Sequence, residues 1–405
     1  MGDDQYGRFA AAYKGGRSQI VFRRVVADLE TPTGAYLKLA EGRKDTFLFE
    51  SVQDGATRGR YSMIGFLPDI ILKVVGGKAS INRNAQLVPD AFEPIDTPPL
   101  DALRALVAES QCDVPEGLPS TAAGIYGYLG YEMVRQMEVL PDSNPDPLGF
   151  PDSILMRPTV LAVFDTLKDE LYLTAPVYVR DGVSAKQAWE GAQSRIDKAT
   201  GRLGRTLSYA TEVPDMSGVA VTSNTTVEEY AAMVERAKEY IRAGDIFQVV
   251  LSQRFSAPFT LPPTALYRAL RRTNPSPYMY FLDFGDFSIA GSSPEILVKV
   301  QDGKVTIRPI AGTRKRGATP TRDKELADEL MSDPKELAEH LMLLDLGRND
   351  VGRVAKIGTV KVTDKFFLEY YSHVMHIVSN VVGELDPSQD FVDALAAGFP
   401  AGTVS

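Results

Sequence analysis

RPIAGTRKRGATPTRDKELADELMSDPKELAEHLMLLDLGRND, residues Arg308 to Asp350, decides how the rest of the chain is read. Its first part, entered from the β-rich run KVTIRPI, is a Gly- and Arg-rich loop around Gly312. Its second part has the marks of a helix: Ser332 as N-cap, Asp333 and Pro334 in the first turn, and Gly347 as the C-terminal stop. Leu337, Leu341 and Leu344 recur at helical spacing and predict a core-facing stripe, with Glu336, Glu339 and Leu343 on the stripe beside it. Carboxylates next to a core-facing surface suit a hard cation such as Mg2+, which takes carboxylate oxygens and shares them with an anionic substrate. On spacing alone, an amphipathic helix with solvated glutamates is the simpler reading.

Working outward, 405 residues allow one large or two ordinary domains. The balance of 44% hydrophobic and 24% charged residues is that of a globular protein. A net charge of −9 with no long basic run argues against nucleic acid, and means that an anionic substrate needs local cations. The single cysteine, Cys112, rules out an intramolecular disulfide and fits a reducing, cytoplasmic setting. No apolar run reaches membrane length.

Residues 1–20 are polar and are expected to be loosely held. From Ile20, the runs IVFRRVVADL, TFLFESV, RYSMIGF and DIILKVVGGKASINRN, broken by glycines, predict antiparallel sheet. DTPPLDALRALVAES reads as a helix from near Pro99, and SILMRPTVLAVFDTLKDELYLTAPV as a hairpin turning near Lys168–Glu170. SYATEVPDMSGVAVTSNTT lacks periodicity, so residues 206–224 are read as a linker between an N-terminal domain, 21–205, and a C-terminal domain, 225–405. Thr225 and Glu228 form a capping box for a helix that ends at Gly244, and IFQVVLSQRF then alternates as a strand. LPPTALYRALRRTNPSP is a short helix. YMYFLDF, FSIAGSS, ILVKVQ and KVTIRPI predict an antiparallel meander into Gly312. The fold class is α+β, with large antiparallel sheets and helices packed outside.

PIAGTR, then EHLMLLDLGRND, then YYSHVMHIVSNVVGEL resemble, in that order, the chorismate-utilising enzymes, most closely anthranilate synthase component I. The resemblance runs from about Phe22 to Ser405. It implies a sandwich to which both halves contribute strands. It also implies conversion of chorismate and ammonia to anthranilate and pyruvate, with Mg2+ as cofactor and ammonia supplied by a glutamine amidotransferase partner. Glu339 matches the family's first magnesium glutamate, and Gly312 with Thr313 its chorismate-binding dipeptide. His376 matches the catalytic histidine that assists loss of the 4-hydroxyl; Glu295 and Thr403 match other polar residues at that centre. Ser51 in LFES, and Pro277, Tyr278 and Met279 in PYM, match contacts to tryptophan as feedback inhibitor, which would tie the N-terminal sheet to the catalytic half. Without the resemblance, Ser51 reads as a strand-end hydroxyl, His376 as a core histidine and Gly312–Thr313 as a turn.

Position 311 separates two readings. The related p-aminobenzoate-forming enzymes carry a nucleophilic lysine there, PIKGT, whereas this chain has Ala311, PIAGT. Aminodeoxychorismate synthase component I, or another chorismate converter, is thus the alternative. The family continues past AGFPAGTVS with GAPK and with motifs that carry a second magnesium glutamate. The chain is therefore expected to be truncated, and as 405 residues to be inactive and prone to aggregate, with a tryptophan-binding remnant as the non-catalytic reading. SQCDVP around Cys112 is no amidotransferase nucleophile motif.

Overall fold

SILMRPTVLAVFD, Ser153–Asp165, does not alternate: it is buried at every residue because its sheet is covered on both faces. The computed structural model describes residues 2–51, 59–141, 144–207 and 218–401. The chain forms two compact units, Met1–Ser208 with Pro263–Pro294, and Tyr209–Pro262 with Glu295–Ser405.

The first unit is built on a ten-stranded antiparallel sheet. Its main path runs Gln19–Val26, Glu170–Val177, Ser153–Asp165, Tyr61–Val75, Thr46–Glu50, Tyr278–Asp283, Ser288–Ser293. On one face, helices Pro32–Ala40 and Ala185–Leu203 bury Leu39, Ala192 and Ile196 against Leu48, Val160 and Phe281. On the other, Phe47, Ile71, Met156, Leu161 and Val163 form a second core. The hairpin at Lys168–Glu170 forms as expected, with Asp169 at φ +52° in its turn.

Two expectations fail here. Residues 1–20 are not loose: Gly2–Lys14 is a helix that buries Phe9 and Tyr13, with Phe9 and Tyr6 packed on Trp189. Tyr6, Phe9 and Tyr13 have helical spacing, but three aromatics in a polar run are a faint signal. Nor does the chain divide once at 206–224. The strands Tyr278–Asp283 and Ser288–Ser293 join the first sheet, Phe281 opposite Leu48, while Lys299–Gln301 and Lys304–Ile307 belong to the second. The expected meander is thus split between two sheets. Most of the linker, residues 208–217, lies outside the described residues.

The second unit is organised by Val374–Glu384. Lys304–Ile307 and then Ile310–Lys315 pair along one of its edges, and Lys361–Tyr370 along the other. Helix Pro334–Gly352 packs on this sheet, burying Leu344 and Val351 with Val381; helix Pro320–Ser332 adds Ala327 and Leu330 beside Met375 and Ile377. IFQVVLSQRF is not a strand beyond Phe255–Ser256, which pairs with Thr222–Ser223; its alternation finds no longer partner among the described residues, and Phe247 is exposed. The capping box falls one residue later than read: Thr226 Oγ1 accepts from Glu229 N at 3.2 Å, and Glu229 Oε2 from Thr226 N at 2.8 Å. Gly244, at φ +82°, ends that helix as expected.

Candidate active site

The long helix of the site starts at Pro334 with Asp333, not Ser332, as its N-cap. Ser332 closes the preceding helix. A carboxylate is the stronger cap here because it serves twice. Asp333 Oδ1 accepts from the Lys335 amide at 2.9 Å, and Oδ2 accepts from Arg314 Nη2 at 2.7 Å. Gly347 is not the stop, since the helix continues to Gly352. Gly347 is buried where the helix presses on the strand entry, and a Cβ there would come 3.1 Å from Pro309 Cγ.

The core-facing stripe also differs from the leucine pattern. Leu344 is buried, but Leu341 is exposed and His340 is fully buried. His340 Nε2 lies 2.7 Å from Ser379 Oγ, which also accepts from the Phe366 amide at 3.1 Å, and its ring meets the Phe366 ring edge-on. Burial pushes the His340 imidazole down to about 4, so it is neutral near pH 7. A histidine carries no weight in an apolar pattern, which is why the sequence missed it.

Gly312 lies within the strand Ile310–Lys315, where a loop was expected. Ala311 pairs with Ile377 and Thr313 with His376, so Gly312 is the extra residue of a β-bulge. Its φ is +72°, and a Cβ would sit 3.0 Å from Ile377 Cδ1 and 3.4 Å from Glu336 Oε2. Only glycine meets both demands. The bulge turns Thr313 toward two partners. Its amide donates to Glu336 Oε2 at 3.3 Å, and its Oγ1 lies 3.0 Å from His376 Nδ1.

His376 Nδ1 is also 3.2 Å from the Gly312 carbonyl. A carbonyl can only accept, so in the neutral ring Nδ1 carries the proton and Nε2 the lone pair. Burial lowers the basicity of His376, while the Gly312 carbonyl and the Glu369 carboxylate oppose that shift. Glu369 sits opposite His376 across the strand pair, bonds Arg308, and accepts from the Tyr371 hydroxyl at 2.7 Å. The Tyr371 ring packs edge-on against His376, centroids 5.5 Å apart. Burial raises the Tyr371 hydroxyl, and the nearby charges of Glu369 and Glu295 raise it further. Glu295 therefore belongs to the same corner.

Gly312, Thr313, His376 and Glu295 thus come together, and Glu339 follows Glu336 by three residues on the long helix. Thr403 lies outside the described residues. Sequence reading did not foresee the part played by Arg314, which bridges Glu329, Asp333 and Glu336, nor Glu369 and Tyr371. These depend on strand register and bulge placement.

The first unit holds a second arrangement. Met279 pairs with Glu50, the neighbour of Ser51, so the PYM segment and LFES meet across adjacent strands. Ser51, Ser62, Glu50 and Arg271 help to line a cavity of about 620 Å3. Met279 itself is buried. The Glu50 carboxylate, also buried, accepts from Tyr267 Oη at 2.6 Å and Arg271 Nε at 3.0 Å.

Comparison with known proteins gives this geometry a family. Residues 52–405 match the chorismate binding enzymes. The chain is 56% identical over 398 residues to anthranilate synthase component 1 of Cereibacter sphaeroides, covering 98% of this chain and 80% of the relative. It is 46% identical to that of Pseudomonas putida, covering 94% and 77%. The crystal structure of anthranilate synthase component I from Streptococcus pneumoniae superposes with a TM-score of 0.74 at 36% identity, covering 95% of this chain and 81% of that one. The menaquinone-specific isochorismate synthase of Escherichia coli, at 15% identity and TM-score 0.63 with 96% and 79% covered, shares the fold. The chain belongs to the chorismate binding enzymes, in the group of anthranilate synthase component 1.

Proposed function

We propose that the chain converts chorismate and ammonia to anthranilate and pyruvate. Ammonia adds at ring carbon 2, the 4-hydroxyl leaves, pyruvate is eliminated and the ring becomes aromatic. The observation that carries this reading is the bulge that sets Thr313 against His376. Thr313 Oγ1 can accept from Nδ1 and still has its own proton to donate to a substrate carboxylate. His376, held through Nδ1, acts through Nε2; as imidazolium it protonates the departing 4-hydroxyl. Ala311 is buried and offers no amine, which supports attack by free ammonia over a covalent lysine route.

Among the described residues no group of three or more His, Cys, Asp or Glu makes a ready cage for a metal. Mg2+ does not need one, because it takes one or two carboxylates and completes its shell with water and substrate oxygens. Glu336 is engaged by Thr313 and Arg314, so Glu339 is the carboxylate assigned to Mg2+. When bound, the ion supplies a clamp for a substrate carboxylate.

Burial, with the Asp113 charge beside it, pushes the Cys112 thiol up to about 11, the opposite of an activated nucleophile. Glutamine hydrolysis is therefore assigned to a separate amidotransferase subunit, in keeping with the component 1 name of the relatives. Tryptophan is assigned to the Ser51 cavity, whose volume suits a ligand of that size. No helix among the described residues is long and apolar enough to cross a membrane, and we place the enzyme in the cytoplasm. The test is anthranilate fluorescence with chorismate, Mg2+ and either ammonium or glutamine. In a subunit of the full length of the curated relatives, ammonium should support turnover without a second subunit, and glutamine only after the amidotransferase subunit is added. Formation of aminodeoxychorismate instead would favour the alternative enzyme.

A further inference from the structure

His376 stands in the middle of a row of three. Thr313 lies opposite it on one neighbouring strand and Glu369 on the other, so the three side chains share one face of the sheet. The Thr313 side is already used: Nδ1 meets Thr313 Oγ1 at 3.0 Å and the Gly312 carbonyl at 3.2 Å. Nε2 is the nitrogen left for chemistry, and Glu369 is the carboxylate across the strand from it. A carboxylate directly opposite an imidazole tends to form a charge-assisted hydrogen bond with it. Such a bond would occupy Nε2 and hold its proton.

That bond does not form. Among the described residues His376 bonds only Thr313 and Gly312. Both Glu369 oxygens are taken: Oε1 pairs with Arg308, and Oε2 accepts from the Tyr371 hydroxyl at 2.7 Å. The Tyr371 ring rests edge-on against His376, so this one side chain touches the imidazole with its ring and holds the carboxylate with its hydroxyl. Burial, with the Glu369 and Glu295 charges, keeps that hydroxyl protonated, so it stays a donor. The other charged groups around the row are turned elsewhere. Arg314 joins Glu329 of helix Pro320–Ser332 to Glu336 of helix Pro334–Gly352, and Glu336 reaches the row only through the Thr313 amide. Glu339 lies one turn further along that helix. Burial lowers the basicity of His376, the Gly312 carbonyl opposes this, and Glu369 is the charge that adds to the opposition.

We propose that Tyr371 is a positioning residue for His376: by occupying Glu369 Oε2, with Arg308 on Oε1, it keeps the carboxylate off Nε2 and leaves that nitrogen open to substrate. The consequence for turnover rests on the role given to His376 above, whereas the arrangement itself does not.

The experiment follows the His376 ring by NMR as pH is varied, in a histidine-labelled subunit of the full length of the curated relatives. The signal is identified by its loss in His376→Gln. Tyr371→Phe keeps the ring and removes one uncharged oxygen, so a change in the charge felt by His376 must come through Glu369. The His376 midpoint should rise by about one pH unit as the carboxylate turns to Nε2. In a Glu369→Gln background the same substitution should leave the midpoint where it was. An unchanged or lower midpoint in Tyr371→Phe, or a rise that persists without Glu369, would overturn the proposal. Turnover should fall in Tyr371→Phe, and its proton-donor limb should move upward with the midpoint. A midpoint that rises while the turnover profile stays fixed would uphold the positioning role and instead remove His376 as the proton donor.

Discussion

Replacing Gly312 by alanine tests the bulge. At φ +72° an L-residue costs roughly 1–2 kcal/mol in left-handed backbone. The new Cβ would also stand 3.0 Å from Ile377 Cδ1, a side-chain end that can yield by a few tenths of an ångström. The total is therefore dominated by backbone strain, and a unit of this size should melt about 2–8 °C lower. Relaxing the strain means moving the bulge, which carries Thr313 away from His376 and Glu336. A displacement near 1 Å in a positioned group can cost on the order of 100-fold in rate. Gly303→Ala is the control: its φ is +70°, but nothing lies within 4 Å of its Cβ. It should share the loss in melting temperature and retain turnover. The assay is anthranilate production with ammonium, read beside thermal unfolding. A Gly312→Ala chain that melted and turned over like its parent would refute the argument.

Other expectations concern protons and the inhibitor. His340 has a folded value of about 4 against about 6.5 unfolded, so the unfolded chain takes up the proton first. Stability should then fall as pH drops from 6.5 towards 4, by about 3 kcal/mol from this group. Denaturant titrations of His340→Gln should lack that component, and an unchanged pH dependence would count against it. For His376, the Glu369 carboxylate supports the imidazolium. Glu369→Gln should move the proton-donor limb of the turnover–pH profile to lower pH, and an upward shift would reverse the assignment. Ser51→Phe should abolish tryptophan inhibition with little change in uninhibited turnover; loss of turnover with inhibition intact would place tryptophan elsewhere.

Long, strongly patterned segments were legible in the sequence. The hairpin across Asp169, the helix Pro99–Glu109 and the stop at Gly244 all formed as read, because local propensity and turn chemistry agree there. The failures have physical causes. Thr225 and Thr226 both fit a capping box, and only helix geometry chooses between them. Ser332 lost its cap to Asp333 because Arg314, distant in sequence, favours a carboxylate there. Gly312 was expected in a loop because a bulged strand and a turn ask for the same residue. At the site, residue types came through resemblance to a family, whereas the roles of Glu369, Tyr371 and Arg314 rest on register that no single segment encodes.

The strands Tyr278–Asp283 and Ser288–Ser293 have a consequence for how the protein is made. They close one side of a sheet whose other main strands end by Val177. On the ribosome, Thr46–Glu50 therefore emerges and pairs with Tyr61–Val75 while its opposite edge waits for residues made much later. At elongation rates of about 5–20 residues per second, that edge stays open for roughly 10–50 seconds. An unpaired strand edge of this composition, TFLFE, is a template for pairing with another chain. Slow synthesis at the linker should lengthen the exposure, whereas a chain rearranged so that Tyr278–Ser293 is made early should escape it.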